Sequence, residues 1–187
     1  VIKLAWSKKP TYRVENVVAS VIFDKGIDLN RVAEKVPYSE YNPDQFPGLV
    51  LRLTKPKTAL LVFSTGKMVC TGAKSEEGVY KAIEKVTRLF EKHGIIIGEP
   101  KITIQNIVAS GNLNAAVDLE RAAYLLENSM YEPEQFPGLI YRMEDPHVVI
   151  LIFSSGKVVI TGAKKEGDVK EAIKKLSQKL NDLRVLY

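Results

Sequence analysis

The chain of 187 residues carries 27 Lys and Arg against 22 Asp and Glu, a formal net charge of +5, and 45% of its residues are hydrophobic. Such a composition supports a real core and tilts towards a polyanionic partner, and with a single cysteine, Cys70, it excludes a disulfide framework or a Cys-rich metal site. No run approaches the 18 apolar residues of a membrane span and the start lacks the long apolar core of a signal peptide, so a soluble, cytosolic protein is expected.

In chain order, a lead of Leu4-Ala-Trp-Ser-Lys-Lys-Pro10, for which no role is evident, gives way to a predicted strand over about 12–23. A short helix is predicted from Asp28 to about Val36, then a short strand near 38–42 and strands over about 48–54, 58–64 and 67–72, each bounded by Gly or Pro. Ser75 opens a long helix in which Val79, Ala82, Ile83, Val86, Leu89 and Phe90 recur at helical spacing, and Gly94 closes it. Gly98-Glu-Pro-Lys101 is a junction too short to let two domains move freely.

Beyond it the series starts again. Asn16-Val-Val-Ala-Ser20 returns as Asn106-Ile-Val-Ala-Ser110, an offset of 106 − 16 = 90. Tyr41 to Leu49, Phe63 to Lys67 and Thr71 to Lys74 return at the same offset, with roughly 40% of positions identical between the halves. A second short helix is predicted from Asp118 to about Leu126, and Val169, Ala172, Ile173, Leu176, Leu180 and Leu183 repeat the long-helix stripe. Two copies are too few for a solenoid, so a duplicated domain with pseudo-two-fold symmetry is expected, the repeats being 1–97 and 98–187.

Thr58 to Phe63 and Val148 to Phe153 are apolar at both parities, yet each half offers one long helix as cover. If Leu60, Val62, Met68 and Cys70 pack under that helix, then Leu61, Phe63, Val69 and Thr71 point the other way, as do Leu151, Phe153, Val159 and Thr161. Asn16, Val18 and Ser20 share one parity, and so do Asn106, Val108 and Ser110. That second face either closes a sandwich or homodimer, or is a binding surface. Small apolar side chains with amides and hydroxyls suit a groove floor that carries only acceptors, such as the minor groove of A·T base pairs. Phe46 and Phe136 sit on stiff loops before Pro-Gly, and Phe63 and Phe153 end strands, so two Phe pairs recur at the sheet edge.

These stretches, above all Glu134 to Met143, Ile152 to Lys157 and Ile160 to Lys164, resemble the signature of the TATA-box-binding proteins, and the likeness runs from about Tyr12 to Leu183. The resemblance implies an α+β saddle: a pseudo-two-fold duplicated repeat with one curved antiparallel ten-stranded sheet, its concave face on DNA, and four helices on the convex face. It implies a general transcription factor that binds the TATA box in the minor groove, bends the DNA and recruits transcription factor B and RNA polymerase. The family is itself the type example of Phe wedging, so no bend angle is inferred from the residues.

By the same resemblance Phe46 with Phe63, and Phe136 with Phe153, are the intercalating wedges. Asn16, Asn106, Thr71 and Thr161 are the central hydrogen-bonding residues. Val18, Leu61, Val69, Val108, Leu151 and Val159 form the apolar floor, and Arg52, Lys67, Lys74, Arg142, Lys157 and Lys164 touch phosphates or sugars. Glu132, Glu134 and Gln135 on the second loop are the expected docking site for transcription factor B, which sets the polarity on DNA. The near-identical loops with Pro47 and Pro137 and the lack of a long N-terminal extension fit an archaeal member, in the cytoplasm and associated with the nucleoid, although the acidic C-terminal tail of some archaeal members is missing. No cofactor or metal is expected, and a weak homodimer through the concave face is expected off DNA.

An enzyme on the same fold is the main alternative. Neither His93 nor His147 recurs in the other half, neither has a nucleophile or carboxylate motif beside it, and Thr-Gly-Ala-Lys lacks the spacing of a phosphate loop. His93 reads as a cap at a helix C-terminus. A scaffold that holds a polypeptide on the apolar face is a third reading, against which the paired Phe residues argue.

Overall fold

The computed structural model describes residues 9–187, so most of the lead from Leu4 to Pro10 lies outside the described residues. The first series of elements is β1 (Thr11–Phe23), α1 (Leu29–Lys35), β2 (Ser39–Glu40), β3 (Leu49–Thr54), β4 (Lys57–Val62), β5 (Lys67–Ala73) and α2 (Glu76–Lys92). The second is β6 (Pro100–Asn112), α3 (Leu119–Leu125), β7 (Ser129–Met130), β8 (Leu139–Met143), β9 (Val148–Ile152), β10 (Lys157–Ala163) and α4 (Glu166–Asp182). The fold is α+β, with one ten-stranded sheet in the order β2-β3-β4-β5-β1-β6-β10-β9-β8-β7 and four helices.

The described residues divide into two compact units, one of Glu15–Asn106 and one of residues 9–14 with Ile107–Tyr187. The divisions fall inside β1 and β6, because each of these long strands gives its first residues to one unit and its last to the other.

Local chemistry sets the helix ends. Asp28 accepts the Arg31 N–H at 3.2 Å, Asp118 accepts that of Arg121 at 3.1 Å and Ser75 Oγ accepts that of Gly78 at 2.9 Å, each satisfying a donor the helix leaves open. α4 starts at Lys165 with no side-chain cap and relies on Glu166 and Asp168 in its first turn. His93 is the C-cap of α2, its N–H bonded to the last turn, and Gly94 follows with φ +75°.

Within the Glu15–Asn106 unit, Val17, Ala19, Val21, Leu60, Val62, Met68 and Cys70 are fully buried, and α2 covers them with Val79, Ala82, Ile83, Val86 and Phe90. Ile107, Ala109, Ile150, Ile152, Val158 and Ile160 do the same under Val169, Ala172, Ile173, Leu176 and Leu180 of α4. Leu89 and Leu183, counted in the helical stripes, are only half-buried. Burial pushes the Cys70 thiol up to about 11, so it is a packing group and not a nucleophile. Among the described residues no helix is long and apolar enough to cross a membrane.

Candidate nucleic-acid interface

The opposite parity of each strand is half-buried, and the registers arrange it in rows. Across β3, β4, β5 and β1, Val50 faces Leu61, Leu61 faces Val69, and Val69 faces Ser20. The other unit has Ile140, Leu151, Val159 and Ser110 in the same row. One residue pair along lies a second row, Arg52 to Ala59 to Thr71, matched by Arg142 to Val149 to Thr161. The first row is apolar up to its serine, and the second carries a cation, Arg52 or Arg142, at its outer end.

The strict alternation breaks once per repeat. Val17 faces Ala73 but Ala19 faces Cys70, so β5 carries one extra residue at Thr71-Gly72, a bulge. Gly72 takes φ +96°, a region closed to most side chains, and Gly162 does so with the same value in β10, where the register between Ile160 and Ala163 also slips. Without the bulge Ala73 could not return to the buried face while Thr71 stays on the open one.

The bulge also turns the Gly72 N–H out of the ladder, and Asn16 Oδ1 accepts it at 2.7 Å. Asn16 Nδ2 lies 3.2 Å from Thr71 Oγ1. A backbone N–H can only donate, so the amide orientation is fixed: oxygen inward, NH2 on the open face. On the open face this repeat therefore presents the amide NH2 of Asn16, a donor.

Phe46 and Phe63 meet edge to face with centroids 5.9 Å apart at 69°, and Phe136 and Phe153 meet at 5.9 Å and 70°. Phe46 remains 38% exposed despite its size. Its loop is a tight turn, with the N–H groups of Gln45 and Phe46 both donating to Asn42 O, and Gln135 and Phe136 doing the same to Glu132 O. A Cβ on Gly48 would lie 2.7 Å from Phe46 and 3.0 Å from Phe63, and one on Gly138 would lie 2.8 Å and 3.1 Å from Phe136 and Phe153. The glycine after each Pro is what lets the two rings close on each other.

The cations are unequal. Arg52 Nη1 lies 3.4 Å from Glu40, whereas the position equivalent to Glu40 is Met130, so Arg142 meets no carboxylate there. Lys74 Nζ donates to Glu15 O at 2.7 Å and sits 3.8 Å from its carboxylate. Lys67, Lys157 and Lys164 are exposed, as are Glu132, Glu134 and Gln135 of the second turn. Val18 and Val108 are half-buried on the open face, and Asn106 is half-buried beside them in sequence.

Sequence reasoning missed Val50 and Ile140, whose parity within β3 and β8 would have found them, and it missed Gly48, Gly72 and their repeats. The identical Phe-Pro-Gly and Thr-Gly-Ala stretches were the available signal. Among the described residues no cluster of three or more His, Cys, Asp or Glu could hold a metal ion.

Comparison with known proteins agrees with this geometry. The family model described as transcription factor TFIID (or TATA-binding protein, TBP) matches residues 11–93 and 101–183. The TATA-box-binding protein of Pyrobaculum calidifontis is 60% identical over 97% of this chain and 92% of its own length, and that of Sulfolobus acidocaldarius is 56% identical over 94% and 89%. The solved structure of Methanococcus jannaschii TBP superposes with a TM-score of 0.83 at 49% identity, covering 91% of this chain and 98% of that one. The chain belongs to the TATA-binding-protein family of transcription factors, whose curated relatives are not enzymes.

Proposed function

We propose that this family member binds the TATA element of promoters through the minor groove, with each repeat, 1–97 and 98–187, reading half of the site. The observation that carries the reading is the amide of Asn16, held by Gly72 so that it offers donors, since the minor-groove floor of A·T pairs carries only acceptors. Thr71 and, in the second repeat, Asn106 and Thr161 serve the same purpose. Val18, Leu61, Val69, Val108, Leu151 and Val159 press on bases and sugars, joined by Val50 and Ile140. A guanine amino group would meet this surface with a donor facing donors.

The wedges are Phe46 with Phe63 and Phe136 with Phe153. Burying a Phe returns roughly 4 to 6 kcal/mol gross, while parting a base step costs a few kcal/mol in the systems where such wedges, including those of this family, are described. The net is small, so specificity comes from how readily the DNA deforms, which favours TA steps. Arg52, Lys67, Lys74, Arg142, Lys157 and Lys164 hold the backbones. Glu132, Glu134 and Gln135 receive transcription factor B, which fixes polarity and brings RNA polymerase, and the complex works at the nucleoid. A weak homodimer through the apolar rows is the state off DNA.

The test uses a TATA duplex and a G·C-substituted duplex with donor and acceptor dyes at the two ends. Salt-sensitive binding that draws the ends together on the TATA duplex alone, and loses the approach in Phe136→Ala, is the expected result. Equal binding to both with no change in end-to-end distance means that the apolar face serves a protein partner or a dimer instead.

A further inference from the structure

On the reading of the open sheet face as the DNA surface, we propose that Glu40 is a specificity-determining residue: its carboxylate competes with the DNA backbone for Arg52, so the first repeat holds its half of the site more loosely than the second. Glu40 faces Val50 across the β2–β3 pair, and directly paired residues share a face of the sheet, so Glu40 extends the row of Val50, Leu61 and Val69 outward by one strand. In the second repeat Met130 faces Ile140 and extends the matching row. The same place on the open face is a carboxylate in one repeat and a thioether side chain, 48% exposed, in the other.

Arg52 lies two positions from Val50 along β3, hence on the same face and diagonal to Glu40, where a long side chain reaches across. Its Nη1 stands 3.4 Å from Glu40 Oε1, with the two side chains 63% and 66% exposed. At Arg142 the diagonal place holds Met130, which offers no charge. Glu144 lines the same recess as Arg142, but among the described residues the two form no ion pair.

A guanidinium holds phosphate by its charge and its fork of N–H donors, and a carboxylate occupies both in the same way. Arg52 therefore meets DNA already partly neutralised. To close on a phosphate it must leave Glu40 or hold two anions together, whereas Arg142 has no such competitor. An exposed ion pair of this kind is worth about two- to fivefold in an equilibrium constant. That is too little to prevent binding and enough to make the two halves of the site unequal.

The test measures binding of single and double variants to the TATA duplex at several salt concentrations, with the G·C duplex as control and a thermal melt of each variant. Arg52→Ala should weaken binding about two- to fivefold less than Arg142→Ala does. Glu40→Gln keeps the size of the side chain and removes its charge. It should strengthen binding about two- to fivefold and steepen the fall of log K with log salt by up to about 0.9, the share of one phosphate contact. In that background Arg52→Ala should weaken binding as much as Arg142→Ala. Met130→Glu should weaken binding about two- to fivefold and make Arg142→Ala as mild as Arg52→Ala. Equal losses from Arg52→Ala and Arg142→Ala in the otherwise wild-type protein, or a gain from Glu40→Gln that is the same with and without Arg52, overturns the competition while TATA binding stands. If neither arginine variant changes binding, neither touches phosphate and the role of Glu40 falls with that assignment. Failure to prefer the TATA duplex over the G·C control removes the DNA reading itself.

Discussion

Asn16 Oδ1 accepts the backbone N–H of Gly72 at 2.7 Å, and this bond decides which end of the amide faces outward. Asn16→Asp keeps the acceptor towards Gly72 but replaces the outward NH2 with an oxygen facing acceptor atoms and phosphates. Binding to the TATA duplex should fall at least tenfold, since a charge-assisted repulsion replaces a hydrogen bond worth about 1 kcal/mol. The melting temperature should stay close to that of the wild type. A titration of the labelled duplex beside a thermal melt checks both, and undiminished binding would show that the amide does not touch DNA.

Gly72→Ala tests the bulge that holds this amide. At φ +96° any L side chain is strained, and a Cβ would approach Lys57 O to 3.3 Å. A loss of about 1 to 3 kcal/mol of stability is expected, together with weaker TATA binding. Chemical denaturation gives the first number.

Gly48→Ala and Gly138→Ala should disturb the two Phe pairs. Each new methyl runs into both rings of its Phe pair, so the rings must part. Both glycines are buried, so each methyl should also cost about 1 to 3 kcal/mol of stability by overpacking, read by chemical denaturation. End-to-end approach of the bound duplex should fall markedly, read by energy transfer between its ends.

Two residues occupy the left-handed region where their repeat counterparts are better suited. Tyr38, 88% exposed with φ +65°, stands where the second repeat has Asn128, and Arg184, with φ +57°, stands where the first has Gly94. Tyr38→Asn and Arg184→Gly should each stabilise by about 0.5 to 1 kcal/mol, because Asn and Gly enter that region with less strain. Urea midpoints shifted upward with unchanged slope would bear this out.

Cys70 links stability to alkaline pH. Its ordinary value of 9.0 is pushed up to about 11 in the folded chain by burial, so above pH 9 the unfolded chain gives up its proton first. The contribution is fully present below pH 9 and is lost as pH rises from 9 towards 11. Cys70→Ala should show a smaller fall in melting temperature between pH 8 and pH 10.5 than the wild type, and alkylation of native protein at pH 8 should be far slower than of unfolded protein.

Much of the candidate interface was legible because its signals are local. Period two in β4, β5, β9 and β10 assigns Leu60 to one face and Leu61 to the other, and duplication at a fixed offset repeats the assignment without reference to any fold. Phe46 and Phe136 stood out for the same reason: a large ring between Gln and Pro-Gly, twice. Caps at Asp28, Ser75 and Asp118 lie within three residues of what they bind, so the helix starts were equally readable.

What the tertiary structure alone decided depends on residues far apart in sequence. The direction of the Asn16 amide needs Gly72, 56 positions away, and a bulge whose existence follows from a register slip between β1 and β5. The role of Gly48 needed the rings of Phe46 and Phe63 to close over it. Composition and periodicity assign faces because a strand's geometry is its own. They do not assign partners, because a hydrogen bond or ring contact is set by which strands pair and by how many residues each contributes between two crossings.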